Sequence, residues 1–275
     1  MSMDRTLYLN ENRRITVYRD GPSVWIREEG RAGRRVPARL IGRVVVIGNV
    51  RLEAEVITLF TNNDIPVTLM NRAGDMAAVV VPYVENLPRY YEKQKALLAS
   101  PDLVTRFKDW MRSQRRTVQL GVLRRLSRRA FESLSATGFT DDQYRRVIEE
   151  FKAVSAEQWE VVVRVIGLLF REFVVGYILK IGLDPHIGVF NRRRNFGLAL
   201  DICHILQPEI EMQALQFARI AREKSYLVKE KASWAVTPEG MKDIVHRFEN
   251  RREEIRAMTG TILDGIFELI RELKR

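Results

Sequence analysis

At 275 residues, 46% apolar and 29% charged, the chain is long and apolar enough for a soluble, well-cored protein of one large or two modest domains. Its one cysteine, Cys203, excludes an intrachain disulfide framework and any multi-cysteine zinc or iron–sulfur site. A net charge of +11 points to a polyanion, and nucleic acid is favoured over anionic membrane because no terminal polybasic cluster or lipidation signal is visible.

The opening MSMDRTLYLNENRR has no apolar core of signal-peptide length, so a cytoplasmic protein is expected. Short runs rich in β-branched and aromatic residues follow, at Thr6–Leu9, Arg14–Tyr18, Ser23–Arg27 and Arg43–Ile47. Turn formers at Asn10–Asn12, Asp20-Gly21-Pro22 and Glu29-Gly30 separate them. Val44-Val45-Val46-Ile47 reads as a strand buried on both faces. Leu52–Phe60 has helical spacing, Asn62-Asn63-Asp64 stops it, and Ile65–Leu69 returns to strand. The fold class expected is therefore α+β: a β-domain over residues 1–80, a linker at 81–89 punctuated by Pro82, Asn86 and Pro88, and an α-helical domain over 90–275.

In that second part the 3.6-residue periodicity predicts helices at Arg89–Ala99, Asp102–Gln119, Gly121–Ser135, Asp141–Lys152, Ala156–Ile181, Pro208–Leu227, Pro238–Asn250 and Arg251–Lys274. Thr237-Pro238-Glu239 has the composition of a helix entry. The apolar stretch from Val161 to Gly182 is interrupted by Arg164, Arg171, Glu172 and Lys180, which suits a buried core helix rather than a membrane span. Tyr90 and Tyr91 pack between domains or stack on bases, and Trp110 and Trp159 read as core anchors.

No Asp or Glu occurs between Trp110 and Phe131, whereas Arg112, Arg115, Arg116, Arg124, Arg125, Arg128 and Arg129 do. At about 100° per residue, Leu120, Val122, Leu123, Leu126 and Phe131 fall on one side and Arg124, Arg125, Arg128 and Arg129 on the other. Two readings are open: a solvated face paired with acidic residues of another helix, or a phosphate-tracking surface. The guanidinium suits the second, since its planar fork engages phosphate with two hydrogen bonds. Arg192-Arg193-Arg194 forms another basic cluster.

That cluster lies in GLDPHIGVFNRRRNFGLALDICHILQP, residues 182–208, a loop leading out of the long core helix and into another helix near Asn195. It carries Asp184, His186, Asn191, Asp201 and His204. Asp201 and His204 are three apart and share a helical face, where a carboxylate and an imidazole suit a divalent metal.

Gly182-Leu183-Asp184-Pro185, Gly188 and Leu198-Ala199-Leu200-Asp201 resemble the signature of the CRISPR adaptation integrases, the Cas-one family. The resemblance extends to Leu7-Tyr8-Leu9, Arg35-Val36-Pro37, Val45–Gly48 and Ile65-Pro66-Val67 near the start, and to Val236–Lys242 near the end. It implies a β-domain followed by a helical domain, homodimers formed through the β-domains, and association with the small Cas-two protein. It also implies cutting and integration of DNA with Mg²⁺ or Mn²⁺ held by a Glu, a His and an acidic residue. Here the chain departs from the pattern. Asn191 stands where the family has His, and His204 stands where it has a second carboxylate. The stretch matching the context of the family's upstream Glu, Thr137-Gly138 to Tyr144, contains no Glu; Asp141 and Asp142 are nearby but out of register.

Together these departures predict a nuclease-inactive, DNA-binding family member that requires no cofactor and acts on duplex or branched DNA in spacer capture. Its DNA-binding residues are Arg115, Arg116, Arg124, Arg125, Arg128, Arg129, Arg192, Arg193 and Arg194. The alternative is an active endonuclease or integrase using Mg²⁺ or Mn²⁺ on Asp201 and His204, with His186 or Asp184 in support. A protein-binding adaptor is a third reading.

Overall fold

The computed structural model describes residues 5–11, 14–83, 85–230 and 233–272. It divides into two compact units, Met1–Asn86 with Tyr226–Met241, and Leu87–Ser225 with Lys242–Arg275.

In the first unit, β1 (Arg5–Asn10), β5 (Ile41–Ile47), β7 (Val67–Met70) and β8 (Met76–Val80) form one sheet in the order β1-β5-β7-β8, parallel except for β8. The central place of β5 explains its unbroken apolar run, since Val44, Val45 and Ile47 are wholly buried. A second sheet runs β4-β3-β2-β6, from β2 (Thr16–Asp20), β3 (Ser23–Arg27), β4 (Arg34–Pro37) and β6 (Arg51–Leu52). Strands β2 and β3 pair through a two-residue turn in which Gly21 takes φ +59°, a conformation open to glycine at little cost. Helix α1 (Ala54–Thr61) contributes Val56 and Phe60 to the core shared with Leu9, Val17, Val24 and Ile26. Residue 12 of the turn predicted at Asn10–Asn12 lies outside the described residues.

A hairpin of β9 (Leu227–Glu230) and β10 (Ser233–Val236) belongs to this unit. The Arg72 side chain holds Glu11 at 2.8 Å and Glu230 at 2.6 Å, and the Val236 amide donates to the Arg72 carbonyl. The hairpin corrects the expectation of unbroken helix through Leu227. Leu227-Val228 and Trp234-Ala235-Val236 are rich in β-branched and aromatic residues, and burial of Ala235 and Val236 favours pairing over helix.

The second unit is helical: α2 (Tyr91–Ala99), α3 (Pro101–Leu126), α4 (Arg128–Thr137), α5 (Asp141–Glu150), α6 (Ala156–Lys180), α7 (Gly197–Ala221), most of α8 (Pro238–Asn250), and α9 (Arg252–Glu272). Several of their starts are capped. Ser100 accepts from the Leu103 amide, and Thr140/Gln143 and Ser155/Gln158 form reciprocal capping boxes. Thr237 accepts from the Gly240 amide at 3.2 Å, as the helix-entry composition predicts. Helix α6 is the core of the unit, with Val162, Val165, Phe170, Val174 and Ile178 buried, and α7 packs against both α6 and α3. Phe170 and Phe173 meet Phe248 edge-on at 5.4 and 6.3 Å. Among the described residues no helix is long and apolar enough to cross a membrane.

Two predicted boundaries are corrected. Helix α3 runs through Gly121 and stops at Ser127, whose hydroxyl caps α4 by accepting from the Ala130 amide. An interior glycine costs a helix only about 1 kcal/mol, which the full burial of Val122 and Leu123 outweighs. Helix α7 begins at Gly197 and continues past Pro208, where the sequence reading began a new helix. The final helix begins at Arg252, and its predicted end at Lys274 lies outside the described residues.

Candidate nucleic-acid interface

The loop between α6 and α7 is closed by small residues and one buried carboxylate. Gly188 and Gly197 cross so closely that a Cβ on Gly188 would lie 2.4 Å from the Gly197 carbonyl carbon, so the crossing requires glycine. Phe196 adopts φ +59°; its amide donates to His186 Nδ1 at 3.1 Å and the two rings lie 4.5 Å apart. Asp184 accepts from the His186 amide at 2.7 Å, and Gln94 of α2 hydrogen-bonds both the amide and the carbonyl of Asp184.

Asp201, on the first turns of α7, is 1% exposed. One carboxylate oxygen accepts from the amides of Val189 (2.5 Å) and Phe190 (3.1 Å); the other accepts from the amide of Asn191 (3.1 Å) and its Nδ2 (2.7 Å). Four donors use the four lone-pair directions of the carboxylate. Asp201 therefore anchors the loop, and the neutral amide of Asn191, a donor, completes that anchor where an unprotonated ring nitrogen could not.

Beyond the anchored turn, Arg192, Arg193 and Arg194 are exposed. Arg192 Nε reaches back to the Val189 carbonyl at 3.3 Å. Phe190 also faces outward, beside the His204 ring (6.2 Å) and with the Lys108 ammonium of α3 over it at 5.8 Å. The loop thus abuts α3 at Lys108.

His204 and Arg115 are joined by an effect of Pro208. Four residues after His204, Pro208 has no amide hydrogen, so the His204 carbonyl lacks its helical donor. The Arg115 guanidinium donates to that carbonyl. Desolvation and this guanidinium push the His204 pKa below its ordinary value, against the pull of Asp141 and Asp201. Asp141, at the start of α5, accepts from Gln119 Nε2 at 2.8 Å. That hydrogen bond, more than the nearby Arg115, Arg116 and His204, holds its carboxyl below the usual range against partial burial. Deeper along α7, burial raises the Glu211 carboxyl, with Gln207, Arg115, Tyr144 and Lys152 opposing; burial and Glu211 raise the Tyr144 phenol.

The helix arginines divide by what they touch. Arg116 lies over the Phe139 ring at 3.9 Å and Arg124 over Phe131 at 4.9 Å. Arg125 and Arg251 both bind Glu209, a carboxylate 1% exposed in the interior. Arg128 pairs with Glu132 at 2.8 Å in a solvated i,i+4 pair, and Arg129 is exposed. Arg125 balances a buried acid of another helix, as the first sequence reading of this face expects, while Arg124, Arg128 and Arg129 reach solvent. Glu209, Glu211, Tyr144, Lys108 and Phe190 were not singled out from sequence. The proline four residues after His204 and the glutamates within a buried apolar helix were the available signals.

The residues present do not form a dication cage. Asp201 is saturated by the loop, His204 shares its surroundings with a fixed guanidinium, and Asn191 is a neutral donor. Among the described residues, no three His, Cys, Asp or Glu side chains are grouped to hold a metal ion.

A family model described as CRISPR associated protein Cas1 matches residues 7–162. Among solved structures, a Cas1 protein from Thermotoga maritima superposes with a TM-score of 0.76 at 17% identity, over 98% of this chain and 97% of that one. A Cas6-RT-Cas1–Cas2 complex gives 0.70 at 12% identity, over 96% of this chain and 35% of the other. A TtCas1–DNA complex gives 0.55 at 12% identity, over 96% of each chain. At these identities the structural likenesses establish the fold. No curated protein sequence matches the chain.

Proposed function

The chain belongs to the Cas1 family of CRISPR-associated proteins, and on that premise we propose that it is a DNA-binding adaptation protein whose nuclease centre has become a structural anchor. The observation that carries this reading is Asp201: its carboxylate is occupied by four donors from the loop that displays Arg192, Arg193 and Arg194. A metal-dependent centre needs acidic oxygens free to meet a doubly charged ion. In this chain the family's His position holds the neutral amide of Asn191, its second carboxylate position holds the imidazole of His204 beside Arg115, no Glu stands in the upstream stretch, and the neighbouring Asp201 is spent on the loop.

The exposed arginines supply what DNA binding needs. Arg124 at the end of α3 and Arg128 and Arg129 at the start of α4 are exposed around the junction of the two helices, where guanidinium groups can meet phosphates. By likeness to relatives solved with DNA and with Cas2, the partners proposed are DNA and a Cas2 protein; duplex or branched DNA as the form bound, and a second copy of this chain, are proposed from the family resemblance. An active enzyme using Asp201 and His204 would have to release the loop before Asp201 could bind a metal.

The test is incubation of the purified chain with linear and branched DNA and Mn²⁺, beside His204→Ala and an Arg192/Arg193/Arg194→Ala triple variant. Salt-dependent binding without cleavage or strand transfer, weakened in the triple variant, is expected. Turnover that His204→Ala abolishes would overturn the proposal.

A further inference from the structure

We propose that Phe190 is a stacking platform for an unpaired nucleobase, so that the arginine loop recognises DNA carrying single-stranded or splayed bases; this rests on the DNA-binding reading above. Phe190 is 46% exposed, whereas its neighbour Val189 is in the core. The ring lies beside His204 and under Lys108 and still leaves nearly half of the residue open to solvent. Its backbone is fixed, because the amides of Val189, Phe190 and Asn191 all donate to Asp201. A ring on a fixed backbone, with few torsions to immobilise, is a low-entropy contact surface.

Its surroundings select the occupant. Lys108 lies over the ring, and Arg192, Arg193 and Arg194 follow it in sequence and are exposed. An apolar protein partner would meet that concentration of positive charge unfavourably. A base attached to a phosphodiester chain matches both features: its π-face covers the ring while the phosphates meet the guanidinium groups. Paired bases inside a duplex present no free face, so the contact distinguishes unpaired from paired DNA.

The experiment compares a blunt duplex with the same duplex bearing an unpaired tail that contains 2-aminopurine, using the full chain. Wild type, Phe190→Ala and Phe190→Tyr are followed by anisotropy and by 2-aminopurine fluorescence, with thermal melts confirming that the variants fold. Phe190→Ala is expected to weaken binding of the tailed DNA about ten-fold and to leave the blunt duplex within about two-fold. The tail probe should be quenched by wild type and Phe190→Tyr and remain bright with Phe190→Ala. Equal weakening on both DNAs, or a probe that stays bright with wild type, overturns the stacking role and leaves the DNA-binding reading standing. If wild type binds neither DNA at low salt, that reading falls and stacking falls with it.

Discussion

Asp201 illustrates how a matched residue can be tied into its own loop by hydrogen bonds. Its position on α7 was legible in the sequence through Leu198-Ala199-Leu200-Asp201, but its partners were not, because three of its four donors are backbone amides that no side-chain pattern reveals. Asp201→Asn replaces an acceptor-only carboxylate with an amide that must direct hydrogens at amide donors. We expect a loss of about 3 kcal/mol in urea unfolding, together with weaker DNA binding as the arginine loop loosens. Glu209 shows the complementary case of an interior acid neutralised by Arg125 and Arg251. Glu209→Ala strands two guanidinium groups, and because both arginines remain partly solvated the expected cost is about 3 kcal/mol, the lower end for a broken buried pair. A loss indistinguishable from that of a surface substitution would show that the triad contributes nothing. His204 has a folded-state pKa below its unfolded value, so the stability it contributes is present above about pH 6.5 and lost as pH falls through the lower, folded value. Thermal melts of wild type should therefore drop more steeply than those of His204→Gln between pH 7.5 and 5.5, on the order of one pH unit to either side of 6.5.

At the scale of elements, periodicity located most helices, while their boundaries depended on tertiary context. Gly121 suggests a break to a propensity reading, yet α3 continues because Val122 and Leu123 are held in the core, and the stop comes at Ser127, which caps the next helix. Pro208 suggested a start and is instead interior to α7. It is tolerated there because Arg115 replaces the missing donor to the His204 carbonyl. This link is testable by a double-mutant cycle of Pro208→Ala and Arg115→Met. Restoring the helical amide makes Arg115 dispensable, so a coupling of about 1 kcal/mol is expected, whereas additive effects would show that proline and arginine act independently. The hairpin of β9 and β10 escaped the sequence reading because two four-residue strands within a long helical region give too short an alternating signal to compete with the surrounding periodicity.

At the scale of the molecule, the formal charge of +11 is carried by arginines in different settings. Some arginines balance interior acids, and those left to solvent at Arg124, Arg129 and Arg192–Arg194 are available to phosphate. Replacing Arg193 and Arg194 by alanine should lower the slope of log affinity against log salt by about 2, one for each phosphate no longer neutralised by a guanidinium. The central claim is that the pocket around Asp201, Asn191 and His204 has no place for a dication, and manganese electron paramagnetic resonance tests it most directly. Titrated into the purified chain, Mn²⁺ should retain the full six-line signal of the free ion. Loss of one equivalent of that signal, restored by His204→Ala, would contradict the account.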